Sequence, residues 1–194
     1  MAERLADDTH QTLTEWKNDG SWAAWLEHGG IHLARWPALL GANLVEGLHQ
    51  SRDGAGLLEE AARALAIKAA AYIHGSNDRP DLLPVAVPVD EAVHALTVQS
   101  DLLRAICDRA GVRILHRTPA QPLPYRPGCL AHDAYTAAWG TPPARYWLDH
   151  TTALARSHRL TRLYAHIGIT AGRTPDAAVT SGSAPAVCEK GSPR

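Results

Sequence analysis

An acid and a histidine near the middle of the chain have the spacing of a site on one helix face. Asp90 and His94 are four residues apart, and His116 follows beyond Gly111, which predicts a helix end. Residues four apart share a helix face, so Asp90 could ligate a metal beside His94, or accept its ring N–H and fix its tautomer. Asp90 also follows Pro88 by two residues, where its carboxylate would act as a helix cap.

Two interpretations of these residues stay open. In one, His94 is a structural histidine that hydrogen-bonds within the fold. In the other, Asp90, His94 and His116 form an open three-ligand site, in which a divalent transition metal activates water or oxygen. Cys107 lies 13 residues after His94, or about 20 Å along a continuous helix. It is therefore predicted to be a small core residue and not a ligand.

Composition limits the classes of partner. The chain has 194 residues and a formal net charge of −1, so no overall field draws it to nucleic acid or to an anionic membrane. The three cysteines contain no CxxC pair, no signal peptide is recognisable, and no apolar run has the length of a membrane span. We expect a cytoplasmic protein that does not bind a membrane, and the overall charge disfavours nucleic acid as its partner.

Helical signals recur along the sequence, and alternating strand patterns are nearly absent. Glycines at 20, 29–30, 75, 111, 140 and 168 predict helix ends, and Pro-rich loops are predicted at 76–88 and 118–128. Helices are predicted at 8–17, 22–28, 37–48, 53–74, 90–109, 130–139 and 149–167, with Pro37 in the first turn of the third and Asp53 as the cap of the fourth. The fold class is therefore all-α.

The predicted architecture is a single-domain irregular helical bundle over residues 1–169. Residues 1–54 would supply Trp-rich helices, and residues 55–169 the remaining core. Residues 170–194 carry few large apolar groups, which predicts a disordered C-terminal tail. The tryptophans of the first part could serve as core or as an interface for a partner or ligand. They are Trp16, Trp22, Trp25 and Trp36.

The last predicted helix carries histidines at eight-residue intervals with arginines between them. The histidines are His150, His158 and His166, and the arginines are Arg156, Arg159 and Arg162. One interpretation is a helix that binds anions or nucleic acid. The other is a solvated face opposite the apolar residues, which are Leu154, Leu160, Leu163 and Ile167.

Residues 57–149 resemble a bacterial family related to the N-terminal region of the glycine-rich-domain proteins. The residues that carry the resemblance are Asp90, His94, Cys107, Gly111, His116 and Pro119, then Tyr135, Trp139, Gly140, Pro142, Pro143 and Trp147. The segment from Leu65 to Ala70 also matches the family pattern. Val93, Leu103 and Arg117 stand where the family pattern has Trp, Tyr and a second His. The resemblance implies a shared fold and site, but it implies no reaction.

The sequence thus favours a helical accessory protein that binds another protein or a small molecule. The alternative is a small metal-dependent enzyme that uses Asp90, His94 and His116, with the metal as its cofactor. Whether the chain is an enzyme stays open at this point.

Overall fold

A computed structural model describes residues 2–40, 48–74, 83–114, 123–166 and Gly168. Within these ranges the chain forms seven helices and no strand, which confirms the all-α prediction. None of these helices is long and apolar enough to cross a bilayer. The predicted tail at 170–194 lies outside the described residues. The helices are α1 (Ala2–Lys17), α2 (Trp22–Leu40), α3 (Gln50–Ile73), α4 (Val87–Thr97), α5 (Ser100–Ala110), α6 (Leu130–Trp139) and α7 (His150–His166).

Helix α3 is the centre of the fold, and α1, α2, α4 and α6 all pack against it. Its middle is buried on nearly every side, from Leu57 to Ala71, with Glu59 and Arg63 as the half-buried exceptions. Seven alanines in this stretch are buried, and such short side chains let neighbouring helices approach closely. A helix that is apolar nearly all round belongs in a core.

Helix α2 is continuous where the sequence predicts a stop at Gly29-Gly30 and a new helix at Pro37, so both of those predictions are wrong. The glycines have a packing role. A Cβ added at Gly29 would lie 2.7 Å from a methyl of Leu96 and 3.1 Å from a methyl of Leu58. The absence of a side chain therefore lets α2 lie close against α3 and α4. Pro37 falls in the last turn, where its missing N–H removes one hydrogen bond.

The predicted helix at 90–109 is wrong in both its start and its continuity. The chain forms α4 and α5 with a break at Gln99, whose backbone (φ −88°, ψ 63°) is not helical. The Gln99 side chain donates to the carbonyls of Trp25 and Ala95, each at 3.3 Å. The Trp25 indole N–H donates to the carbonyl of Leu96 at 3.2 Å. The break at Gln99 is therefore accompanied by contacts with α2. Such contacts cannot be predicted from the sequence pattern along one helix.

Candidate functional site

The candidate site begins on α4, whose first turn differs from the predicted one. The N-cap position is Ala86, Pro88 lies in the first turn, and the Asp90 N–H donates to the Ala86 carbonyl at 2.9 Å. Asp90 is thus already inside the helix, and its carboxylate does not cap the N-terminus. This corrects the capping role that was predicted for Asp90. Pro88 fits because the first helical turn does not use its N–H.

Asp90 and His94 share a face of α4, as their spacing predicts. The Asp90 Oδ2 lies 3.8 Å from the His94 Nδ1, which is a loose ion-pair distance. The His94 side chain is 23% exposed, and that of Asp90 39%. The carboxylate is therefore at the edge of the core, in partial contact with solvent.

Burial raises the pKa of Asp90, while His94 and Lys68 lower it to a smaller extent. Lys68 belongs to α3 and is only 3% exposed. The facing surfaces of α3 and α4 thus bring an acid, an imidazole and an ammonium group into one region. Sequence reasoning missed Lys68, because residues so far apart in the chain meet only through the packing of α3 on α4.

This region can hold and exchange protons, since a carboxyl group with a raised pKa next to a histidine is a common acid–base arrangement. A metal would need further ligands. In the described ranges no three or more His, Cys, Asp or Glu side chains are grouped to hold a metal ion. His116, the third predicted ligand, lies outside the described residues. The structure therefore brings Asp90 and His94 together and leaves His116 as a prediction.

Cys107 lies on α5 and is 7% exposed. Burial raises the pKa of its thiol to about 11, so the reactive thiolate is scarce at neutral pH. It packs in the hydrophobic core. The distance of about 20 Å predicted between Cys107 and His94 holds only for one continuous helix. The helices α4 and α5 do not form such a helix, but the burial of Cys107 leads to the same core assignment.

The tryptophans of the N-terminal part are largely core residues. Trp16 and Trp25 have no exposed surface and meet edge to face, with ring centroids 5.8 Å apart. Trp22 packs on Trp25 at 5.7 Å and is partly buried. The side chain of Trp36 lies outside the described residues. The two fully buried rings are unavailable to a partner, since a partner must touch surface.

Helix α7 differs from the other helices in its packing. Its N-terminus is held by the His150 N–H, which donates to the Tyr125 carbonyl at 3.1 Å. The Asp149 carboxylate accepts from the N–H of Thr152 at 3.0 Å and caps the first turn. Beyond that turn α7 does not pack extensively on any of α1–α6.

The interpretation of α7 as a solvated face opposite its apolar residues holds only in part, because two of those apolar residues are exposed as well. Ala153 is 3% exposed, but Leu154 is 45% and Leu163 51% exposed. The side chains of Leu160 and Tyr164, and residue 167, lie outside the described part. On the outward surface Arg159, Arg162 and both later histidines are exposed.

Two acids of α3 are buried in a way that the sequence did not predict. Glu60 on α3 is 3% exposed and Asp53 1% exposed. Asp53 was predicted to cap its helix, but the helix begins at Gln50, and the carboxylate instead accepts from the backbone N–H of His49 at 2.8 Å. Arg145 donates to Asp53 through Nε and Nη2, at 2.5 and 2.9 Å. These acids join α3 to α6 and to the segment after it, which is a structural role.

No protein-family model, curated protein or solved structure matches this chain. The resemblance of residues 57–149 to the family related to glycine-rich-domain proteins therefore stays a prediction. Among the described residues, the Asp90–His94 region and the exposed length of α7 are the candidate surfaces considered below.

Proposed function

We propose that this chain is a binding protein that docks a protein partner along α7, with α1–α6 as the body that holds this helix in place. The observation that carries the proposal is the exposure of Leu154 and Leu163, at 45% and 51%. These residues are nine positions apart, which corresponds to about 180° around a helix. Apolar side chains are thus offered to solvent on two sides of α7.

A helix that belongs to a closed domain buries one apolar stripe and exposes the rest. Helix α7 buries Ala153 near its start and then leaves two leucines in solvent. Because isolated helices of this length are only marginally stable in water, α7 gains stability from any surface that covers it. An amphipathic helix that the body leaves uncovered can lay its apolar side chains into the groove of a partner.

Anchoring at the N-terminus of α7 supports the same function. The hydrogen bond from His150 to Tyr125 and the Asp149 cap fix where the helix starts. The body thereby presents α7 in one direction, which lowers the entropy lost when a partner binds.

Site-specific photo-crosslinking in the source cells tests this proposal. A photoreactive amino acid at position 163 is compared with the same group at position 98, because Leu163 and Val98 are similarly exposed, at 51% and 54%. We expect one discrete protein adduct from position 163 and none from position 98. The same adducts from both positions, or none from either, would contradict docking on α7.

A second function is favoured by the Asp90–His94 pair, namely a small metal-dependent enzyme that uses Asp90, His94 and His116. Its support is the 3.8 Å approach of the two side chains on one face of α4. The test is the metal content per chain of untagged protein, for the wild type and for His94→Ala. A stoichiometric metal that is lost in the variant would support this function, and a metal-free wild type would exclude it.

A further inference from the structure

We infer that Tyr135 is a one-electron oxidation site, whose phenol proton passes to Glu60 when an oxidising radical removes an electron through Trp139. This activity is independent of the docking proposed for α7. Tyr135 is 1% exposed and Glu60 3% exposed, and the phenol O–H donates to Oε2 of Glu60 at 2.8 Å. A proton acceptor is therefore in place before any oxidation occurs.

The resting pair keeps the proton on the phenol. Burial raises the pKa of Tyr135, and the negative charge of Glu60 raises it further. Loss of one electron reverses this preference, because a phenol radical cation is a far stronger acid than the phenol. The electron goes to the oxidant, and the proton moves along the hydrogen bond to the carboxylate. The pair then consists of a neutral phenoxyl radical and a neutral carboxylic acid, so no unpaired charge is buried.

Trp139 connects this pair to solvent. Its ring is half-buried and meets the ring of Tyr135 edge to face, with the centroids 5.0 Å apart. Electron transfer between aromatic rings in contact is fast, because the electronic coupling falls steeply with distance. An oxidising radical in solution can therefore take an electron from Trp139, and Tyr135 then supplies an electron to the indole. This direction is favoured because Tyr135 passes its proton to Glu60 as it loses the electron.

Two further side chains hold the pair in the geometry that proton transfer requires. The Trp147 indole N–H donates to the same oxygen of Glu60 at 2.7 Å. Arg63 donates to the other carboxylate oxygen at 2.7 Å and to the phenol oxygen of Tyr135 at 2.8 Å. Because a guanidinium cannot accept a hydrogen bond, the phenol proton points to the carboxylate and not to Arg63.

Tyr125 offers a comparison within the same aromatic cluster. It is 4% exposed, and its ring centroid lies 5.2 Å from that of Trp147, against 5.1 Å for Tyr135. Within the described part of the chain no carboxylate accepts from the Tyr125 hydroxyl. The two tyrosines thus share their burial and their distance to Trp147, but they differ in the base that receives the proton.

Pulse radiolysis of the full chain tests the inference. The oxidant is the azide radical, a one-electron oxidant that prefers indoles at neutral pH, and transient absorption separates the indolyl radical from the phenoxyl radical. The variants are Tyr135→Phe, its matched control Tyr125→Phe, and Glu60→Gln, whose amide keeps an acceptor oxygen but is not a base. The wild type is also measured in heavy water, and circular dichroism checks that each variant is folded.

In the wild type we expect the phenoxyl radical to form as the indolyl radical decays, at a rate that is independent of protein concentration. Tyr135→Phe should lose this phase, and Tyr125→Phe should keep it. Glu60→Gln should slow it at least about tenfold, since a positioned base accelerates proton transfer by that much or more. Heavy water should slow the wild-type phase, because the proton moves together with the electron.

The entry of the electron vacancy through Trp139 has its own control. Trp139→Phe should lower the yield of the phenoxyl phase, whereas Trp22→Phe should not, because Trp22 is also partly buried but packs on Trp25 in the other aromatic cluster. Equal yields from these two variants would overturn the assignment of Trp139 and the inference with it.

Three other outcomes would overturn the inference. They are a phenoxyl phase that persists in Tyr135→Phe, a phase that Tyr125→Phe loses as completely, and a wild-type rate in Glu60→Gln. Equal rates of the wild type in light and heavy water would also overturn it. That last measurement needs no variant, so it decides the matter even if Tyr135→Phe does not fold.

Discussion

The hydroxyl of Tyr135 on α6 donates a hydrogen bond to Oε2 of Glu60 on α3 at 2.8 Å. The same oxygen accepts from the indole N–H of Trp147 at 2.7 Å, and Arg63 donates to the other oxygen at 2.7 Å. One buried carboxylate thus connects the central helix to α6 and to the segment that leads into α7. The guanidinium of Arg63 also stacks on Trp139, 5.5 Å from the ring centroid.

Replacing Glu60 by Ala should lower the free energy of unfolding by about 3 kcal/mol, because the Tyr135 and Trp147 donors lose their buried acceptor. Glu60→Gln keeps one acceptor oxygen and should lose less. Glu59→Ala, on the half-buried side of the same helix, should cost less than about 1 kcal/mol. Urea denaturation measures all three, and equal losses at positions 59 and 60 would contradict the role of this carboxylate.

Gly29 and Gly30 should respond to alanine in opposite directions. A Cβ at position 29 meets Leu96 at 2.7 Å, whereas the nearest atom to a Cβ at position 30 is 3.7 Å away. Gly29→Ala should destabilise the protein by about 1 kcal/mol through overpacking. Gly30→Ala should stabilise it by about 0.5 to 1 kcal/mol through helix propensity. Thermal melts of both variants check this, and stabilisation by both would show that α2 can move away from Leu96.

The contacts of the Asp53 carboxylate should make the free energy of unfolding decrease in acid. The hydrogen bonds from Arg145, with those from the His49 backbone and Arg52, hold the pKa of this carboxyl well below its usual value. A depressed folded pKa means that its contribution is present above the unfolded pKa of about 4. That contribution is lost as the pH falls through the folded pKa. Asp53→Asn should therefore be less stable than the wild type at pH 7, and this difference should shrink at pH 2.5. A difference that is constant with pH in urea denaturation would contradict the ion pair.

Asp90 should change the stability with pH in the opposite direction to Asp53. Burial raises its folded pKa, so the charged form is disfavoured in the folded state, and the stability that it contributes is lost as the pH rises through that pKa. Asp90→Asn should therefore be more stable than the wild type at pH 7 and equal to it well below pH 4. Asp101→Asn, whose side chain is 94% exposed, should change little at either pH. Loss of stability in Asp90→Asn at pH 7 would show that favourable contacts to the carboxylate outweigh its burial.

Local sequence signals predicted where helices end better than they predicted which residues contact each other between helices. Gly111 and Gly140 end helices as expected, and each has a positive φ that other residues adopt rarely. Gly29 carries the same local signal but lies inside α2, because close approach of Leu58 and Leu96 decides its role. A single residue type thus has two uses, and only the packed structure separates them.

In the candidate site, too, local spacing predicted one contact and the packing of helices supplied another. The four-residue spacing of Asp90 and His94 predicted that they share a face, and the two side chains approach to 3.8 Å. The neighbouring charge of Lys68 comes from α3, and no spacing rule connects residues 68 and 90. The buried acid Glu60 lies in a stretch of alanines and leucines. Nothing in that stretch distinguishes a buried glutamate from an exposed one.

The packing of α1 on α6 constrains the order in which the chain can fold during synthesis. Helix α1 ends at Lys17 and α6 begins at Leu130, so 112 residues lie between two elements that contact each other. A nascent chain leaves the ribosome from its N-terminus, so α1 emerges long before α6 exists. Until then the α1 surface that faces α6 stays uncovered, and the body cannot close. Ribosome-bound chains that stop before Leu130 should therefore recruit chaperones, and full-length chains released from the ribosome should no longer hold them.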